Sequence, residues 1–271
     1  MKSAQMNVSS SPPTYHQLLL FLFTTVLIWL TEPLLSLVDT TVAGWSGAAA
    51  ATGMVSHAAT SGTCTTAAAA STPTILQLAA LGPATTLYDS WLYLTYFLSM
   101  ATTHKLTAAH ARGNVRACLQ TCLHVMGVAM VLGVITTVVM WLGAESFLTT
   151  LMGAALSSSS TSVAALIPLA TWYAHICATV AMASIVGMVC QSICLSVLDT
   201  QTPIRAVVVA SLVNVVGDFA LRHAGMQGVA LATAASSLVS CLVLSRVVGQ
   251  QCRSWNQELL LQQQQTECLS Q

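Results

Sequence analysis

Six stretches of this chain are apolar and long enough to cross a lipid bilayer, and no other feature limits its fold as tightly. They run roughly over 18–45, 76–103, 115–142, 163–197, 204–222 and 226–248. About 20 apolar residues span hydrocarbon as a helix. Water is absent there, so each segment must bond its own backbone groups, which selects helices. A membrane barrel would alternate apolar and polar residues instead, and these runs do not. Charge is correspondingly scarce: 8 Lys and Arg and 8 Asp and Glu make up 6% of 271 residues. A soluble domain carries about 25% and could not cover its surface with so little. The expected fold class is an all-α membrane protein with six transmembrane helices. Net charge is zero, so no basic field points to nucleic acid.

Three stretches interrupt or flank these segments. Residues 1–17 form a polar N-terminal segment, 18–248 a six-helix transmembrane lobe and 249–271 a polar Gln-rich tail. Within the lobe, 48–75 is a low-complexity Ala/Thr/Ser/Gly stretch, expected to be a flexible insert rather than a helix of its own. A Ser-rich loop over 157–162 precedes the fourth segment. Gln-rich tracts are commonly disordered, and the tail is expected to be so. The first 17 residues hold one Lys and no Arg, a poor transit peptide, and the first apolar run is too long for a cleaved signal. Plasma membrane and plastid both stay open as compartments.

The basic residues set the orientation. With six spans and a cytoplasmic N-terminus, Lys2, Lys105, Arg112, Arg116, Arg205, Arg246 and Arg253 fall on one side and only Arg222 on the other. That asymmetry follows the positive-inside rule. Nine cysteines are scattered without a C-x-x-C pair. Cys118/Cys122 and Cys190/Cys194 recur at i,i+4, but no His or second pair joins them at zinc spacing. They read as small apolar side chains.

Carboxylates inside the spans are the informative exceptions. Placing one in a membrane costs at least about 2.5–3.5 kcal/mol, so each needs a reason. Asp39 ends the run "EPLLSLVD", about six residues or ~9 Å from the outer end of the first helix. Asp218 lies ~6 Å from the outer end of the fifth, and Thr233 ~10 Å below that of the sixth. Asn214 shares a helix face with Asp218 at i,i−4. Two carboxylates, an amide and a hydroxyl therefore share one level, a donor set that suits Na⁺, while the carboxylates alone suit H⁺. Simpler roles stand beside this one. Asp218 could pair with Arg222 at i+4, Thr233 could bond its own i−4 carbonyl, and Asn214 could join helices. Glu32 and Asp89 could be satisfied core groups. Gly228, Ala232, Ser236 and Ser240 form a small-residue stripe expected to serve packing.

Four stretches resemble the N-terminal half of a MATE (multidrug and toxic compound extrusion) transporter, nearest the DinF-like branch. They are "PLLSLVDTTVAG" (33–44), "LAALGPATTLYDSWLYLTYFLSMATT" (78–103), "LDTQTPIRAVVVASLVNVVGDF" (198–219) and "GVALATAASSLVS" (228–240). The resemblance implies one six-helix lobe of a twelve-helix antiporter that exports small organic molecules in exchange for H⁺ or Na⁺. It implies a cation-coupling site at Asp39, Asn214, Asp218 and Thr233, with Gln191 as a fourth-helix polar member lying nearer the inside. It implies no other cofactor. The expected partners are the lipid bilayer, an organic substrate, and a second copy or a second six-helix half. A truncated, non-transporting membrane protein or interaction partner is the alternative. The sequence departs from the family where "RGLGDT" before the fifth helix reads "LSVLDT", losing an Arg and two glycines, and where Phe219 and Arg222 follow Asp218.

The chain reads as a non-enzyme. "GWSG" (44–47) has the form of an intramembrane serine nucleophile, but His57 lies in the insert and His124 and His175 on other helices. The G-x-G-D context of an intramembrane aspartyl protease is absent.

Overall fold

The computed structural model describes residues 15–58, 66–155 and 160–269. These form six α-helices in chain order: α1 Tyr15–Ala58, α2 Thr66–Ala111, α3 Val115–Ala155, α4 Ser160–Ser196, α5 Gln201–Leu221 and α6 Met226–Leu269. A short 3-10 turn, Arg222–Ala224, joins α5 to α6. Among the described residues there is no strand. Five helices are long and apolar enough to cross a membrane, over Phe21–Val42, Val115–Met152, Leu166–Ser196, Gln201–Ala224 and Met226–Gln265. The exception is α2, whose middle carries Thr85, Thr86, Asp89, Ser90, Thr95, Ser99, Thr102 and Thr103. It nevertheless packs along α1, α3 and α4 as a full member of the bundle.

α4 is the axis of the lobe. Of its spanning stretch 61% is buried, against 6% for α1 and 17% for α5. It contacts α2, α3 and α6 extensively, while α1 leans on α2 and α5 at the periphery. The outward face of α1 is a belt of exposed Leu19, Leu22, Phe23, Val26, Leu30, Leu34 and Leu37. Such a belt is suited to lipid and not to water.

The buried interior falls into two clusters. One joins Leu81, Tyr88, Met140, Leu148, Tyr173 and Val229 near the start of α6. The other joins Leu106, Cys122, Ile185, Ile193, Leu244 and Trp255 towards its far end. Small residues let the helices approach. Gly133 of α3 faces Met182 of α4, where an added Cβ would meet the Met182 Cα at 2.9 Å. Gly217 of α5 faces Ala232 of α6, where it would meet that Cβ at 2.9 Å. Lipid gives helices no hydrophobic reason to associate, so such close packing carries much of their cohesion.

Three expectations need correction. The insert over 48–75 is helical at both ends, since α1 continues to Ala58 and α2 begins at Thr66. Alanine has the highest helix propensity, and extending an existing helix avoids the cost of a nucleus. Residues 59–65 lie outside the described residues. The Gln-rich tail is also helix, continuous with α6 to Leu269. Val248, Cys252, Trp255 and Leu259 recur there at helical spacing and pack on the second cluster, with Trp255 only 1% exposed. The small-residue stripe of α6 serves packing only in part: Ala232 meets Gly217, but Ser236 and Ser240 line a cavity. Of the Ser-rich loop, 156–159 lie outside the described residues and α4 begins at Ser160.

A candidate cation site between α1, α5 and α6

Local sequence sets the angle at which α5 enters the lobe. The Asp199 carboxylate accepts from the Thr202 backbone N–H at 3.2 Å and the Thr202 hydroxyl at 2.6 Å. It thereby bonds a donor of the first turn, which has no partner within the helix. Leu198, just before it, has φ +61°, a left-handed conformation that glycine adopts without steric cost. From there α5 runs along α6, brought close by the Gly217–Ala232 contact, and turns Asn214 and Asp218 inward.

Four of the five candidate residues meet. Asn214 is 2% exposed and Asp218 0%. The Asn214 amide Nδ2 donates to Thr233 Oγ1 at 3.4 Å. Thr233 Oγ1 lies 3.0 Å from the Val229 carbonyl and 3.4 Å from Asp39 Oδ2. A hydroxyl has one proton, so it can donate to one of these acceptors at a time. The Asp39 and Asp218 carboxyl groups lie within side-chain hydrogen-bonding reach of each other across α1 and α5. Four buried oxygens here receive no proton from any donor: Asp39 Oδ1, Asn214 Oδ1 and both Asp218 oxygens. Unsatisfied buried acceptors are expensive and call for a proton, an ion or a water. All are hard oxygen donors of the kind that fit H⁺ or Na⁺.

Asp218 makes no ion pair with Arg222, which is exposed on the 3-10 turn. The helix-end pairing considered from spacing does not form, because Asp218 turns towards α1. Thr233 keeps its own i−4 bond and also faces Asp39, so both roles weighed for it coexist. Gln191 lines the same cavity as Asp39, Asn214 and Thr233, but no hydrogen bond joins it to them among the described residues. The side chain of Glu32 lies outside the described residues.

The cavity holds about 510 Å³ between α1, α2, α4, α5 and α6. Asp39 stands in its wall, and Asp218, buried beside it, is not among the lining residues. Asp89 also lines it, with Tyr88, Tyr93, Tyr96 and Tyr173. Sequence reasoning left Asp89 as a core group, although the aromatic run "YDSWLYLTY" around it was legible. Tyr93 and Tyr96 stack at 5.4 Å, and the Tyr88 and Ser184 hydroxyls bond at 2.9 Å. Of the histidines considered for catalysis, His175 stacks on Trp141 and His124 meets the Gln120 carbonyl. His57 and Ser46 lie outside the described side chains.

A six-helix lobe with a polar cavity and buried carboxylates defines a class, the polytopic helical membrane proteins. The family is specific: the MatE profile matches residues 59–220, and the chain belongs to the MatE family. Protein DETOXIFICATION 47, chloroplastic, from Arabidopsis thaliana is 28% identical over 222 residues, 80% of this chain and 34% of that protein. A crystal structure of a MATE mutant superposes with TM-score 0.66 at 18% identity, covering 90% of this chain and 47% of that one. A MATE crystal structure in the bent conformation gives 0.56 at 19%, covering 86% and 47%. The chain thus spans about a third of the curated relative and just under half of these solved chains.

Proposed function

We propose that this chain is one lobe of an antiporter that exports small organic molecules in exchange for H⁺ or Na⁺. Asp39, Asn214, Asp218 and Thr233 form the coupling site, and Gln191 is a polar wall of the cavity it serves. The supporting observation is the group of four buried, unsatisfied oxygens around the Asp39–Asp218 pair. With both carboxyls charged, nothing donates to Asp218. One proton between them supplies an O–H···O bond and removes the repulsion between like charges.

Thr233 passes that event on to α6. Facing a charged Asp39, its hydroxyl donates to Oδ2 at 3.4 Å. Once Asp39 carries the proton, Thr233 donates to the Val229 carbonyl at 3.0 Å. Loading thus changes which partners α1 holds, and Pro33, inside α1 and on the cavity wall, is a place for it to bend. A cation whose affinity differs between the two arrangements shifts their populations.

The substrate lies in the tyrosine-lined cavity, facing a second copy or a second six-helix half that completes the path. The exposed apolar belt of α1 rests in lipid or under that second half. The chloroplastic name of the Arabidopsis relative favours a plastid membrane. The test is ion-driven efflux of an organic cation from vesicles holding the complex that contains this chain. Asp39→Asn should abolish it under both proton and sodium gradients, and full retention would return Asp39 to a structural role.

A further inference from the structure

Sulfur gathers at the end of the lobe away from the carboxylates. Cys118 and Cys122 of α3, Cys190 and Cys194 of α4, and Cys241 and Cys252 of α6 belong to one apolar cluster or pack against it. Most behave there as small apolar side chains. Cys190, for instance, points its S–H at Met126 Sδ, 3.8 Å away. One pair is different. Cys122 Sγ lies 3.1 Å from Cys252 Sγ, across the α3–α6 contact and 130 positions apart in sequence. A disulfide has its sulfurs about 2.05 Å apart, so closure asks for a movement of only about 1 Å. The two thiols also differ in access. Cys122 is buried, while Cys252 is partly exposed at the start of the α6 extension. A reachable thiol beside a sheltered one is the arrangement of an attacking and a resolving cysteine.

We propose that Cys122 and Cys252 are a reversible redox pair that fastens the α6 extension to α3. The oxidant is a disulfide, either a small molecule or a protein. The Cys252 thiolate attacks one sulfur of R–S–S–R, forming a Cys252–S–S–R mixed disulfide and releasing RS⁻, which takes up the Cys252 proton. Cys122, as thiolate, then attacks the Cys252 sulfur and expels the second RS⁻, which takes up the Cys122 proton. Two protein thiols are oxidised and one disulfide is reduced to two thiols. Trp255, one helical turn beyond Cys252, is buried in the same cluster. The bond therefore holds a segment that packing has already docked and prevents it from peeling away.

The test uses the full chain in phosphatidylcholine nanodiscs, reduced and then exposed to oxidised glutathione. Free thiols are blocked with N-ethylmaleimide and the peptides mapped by mass spectrometry. One cross-link joining the Cys122 and Cys252 peptides is expected, reversible by dithiothreitol and lost in Cys252→Ser. It should persist in Cys118→Ser and Cys194→Ser. Tryptic cleavage after Arg253 should be lost in the oxidised form and return on reduction. Cys122→Ser risks unfolding because its site is buried, so Cys252→Ser at the partly exposed position carries the decision, with a melting curve to show that it is folded. Alkylation of both thiols after full exposure to oxidant would overturn the proposal. So would a cross-link that survives in folded Cys252→Ser.

Discussion

The carboxyl groups of Asp39 on α1 and Asp218 on α5 meet inside the lobe, and Asp218 is sealed from solvent. Neither Asp218 oxygen receives a hydrogen bond. A buried charge without a donor costs stability, and replacing it with a neutral group of the same shape removes that cost. Asp218→Asn should therefore stay folded, with thermal stability equal to or above that of the parent. Ion-driven transport should fall by more than about tenfold, equivalent to roughly 1.4 kcal/mol of driving interaction. The double variant with Asp39→Asn should be no worse than Asp39→Asn alone, because the two act as one unit. Arg222→Ala should leave transport unchanged, since it makes no ion pair with Asp218. Strictly additive losses, or a loss in Arg222→Ala, would count against the shared site.

Gly217, the residue before Asp218, supplies a second test that reads helix packing. A Cβ there would lie 2.9 Å from the Ala232 Cβ and 3.3 Å from its Cα. The neighbour is close to backbone and cannot swing aside, so α5 and α6 must separate. Gly217→Ala should destabilise by about 1–3 kcal/mol, as overpacking does. Adding Ala232→Gly should restore most of that loss. Melting curves in detergent at matched protein concentration would read both effects.

The six-helix lobe was legible because bilayer thickness and charge scarcity act over long windows. The grouping of Asp39, Asn214, Asp218 and Thr233 was legible because depth along a helix follows from counting residues, which brought the four to one level. Counting does not give rotation. It could not tell that Asp218 turns from Arg222 towards α1, nor that Asp89 faces the cavity. The helical tail was misread for a different reason. Glutamine content pointed to disorder, while Val248, Cys252, Trp255 and Leu259 already carried a helical apolar stripe. The insert misled in the same way, since a low-complexity Ala run is also a strong helix former.

Leu198 tests a departure from the family pattern. It holds φ +61° just ahead of α5, where the resembling motif "RGLGDT" carries a glycine. The left-handed region costs a residue with a Cβ about 1–2 kcal/mol, and glycine returns part of that through its freer unfolded chain. Leu198 is 71% exposed, so little packing is lost on removing its side chain. Leu198→Gly should therefore stabilise by about 0.5–1 kcal/mol, read as a raised melting temperature. A lower melting temperature would mean that the Leu198 side chain contributes contacts outside this lobe.

Orientation can be tested through the same helices. Seven of the eight basic residues, Lys2, Lys105, Arg112, Arg116, Arg205, Arg246 and Arg253, fall on one side under six spans, leaving Arg222 opposite. The structure returns the chain through six consecutive helices, so the α2–α3 turn and the end of α6 emerge from the same end of the lobe. One missing crossing would put them on opposite sides and scatter the charges. Cys268 is exposed at the end of α6 and serves as a native reporter. A cysteine introduced as Asn114→Cys reports the α2–α3 turn, at the cost of the cap that Asn114 gives the Ala117 N–H. That loss is about 1 kcal/mol and leaves the span intact. In sealed, right-side-out vesicles, a membrane-impermeant maleimide should reach both positions only after the membrane is opened. Native Cys64, in the 59–65 stretch between α1 and α2, should label without opening it. Labelling of Cys268 and the Asn114→Cys position from opposite sides would require an odd number of crossings between them. In that case one of the helices α3–α6 fails to cross; α2, which lies before Asn114, is tested instead by labelling of the 59–65 stretch and the Asn114→Cys position from opposite sides.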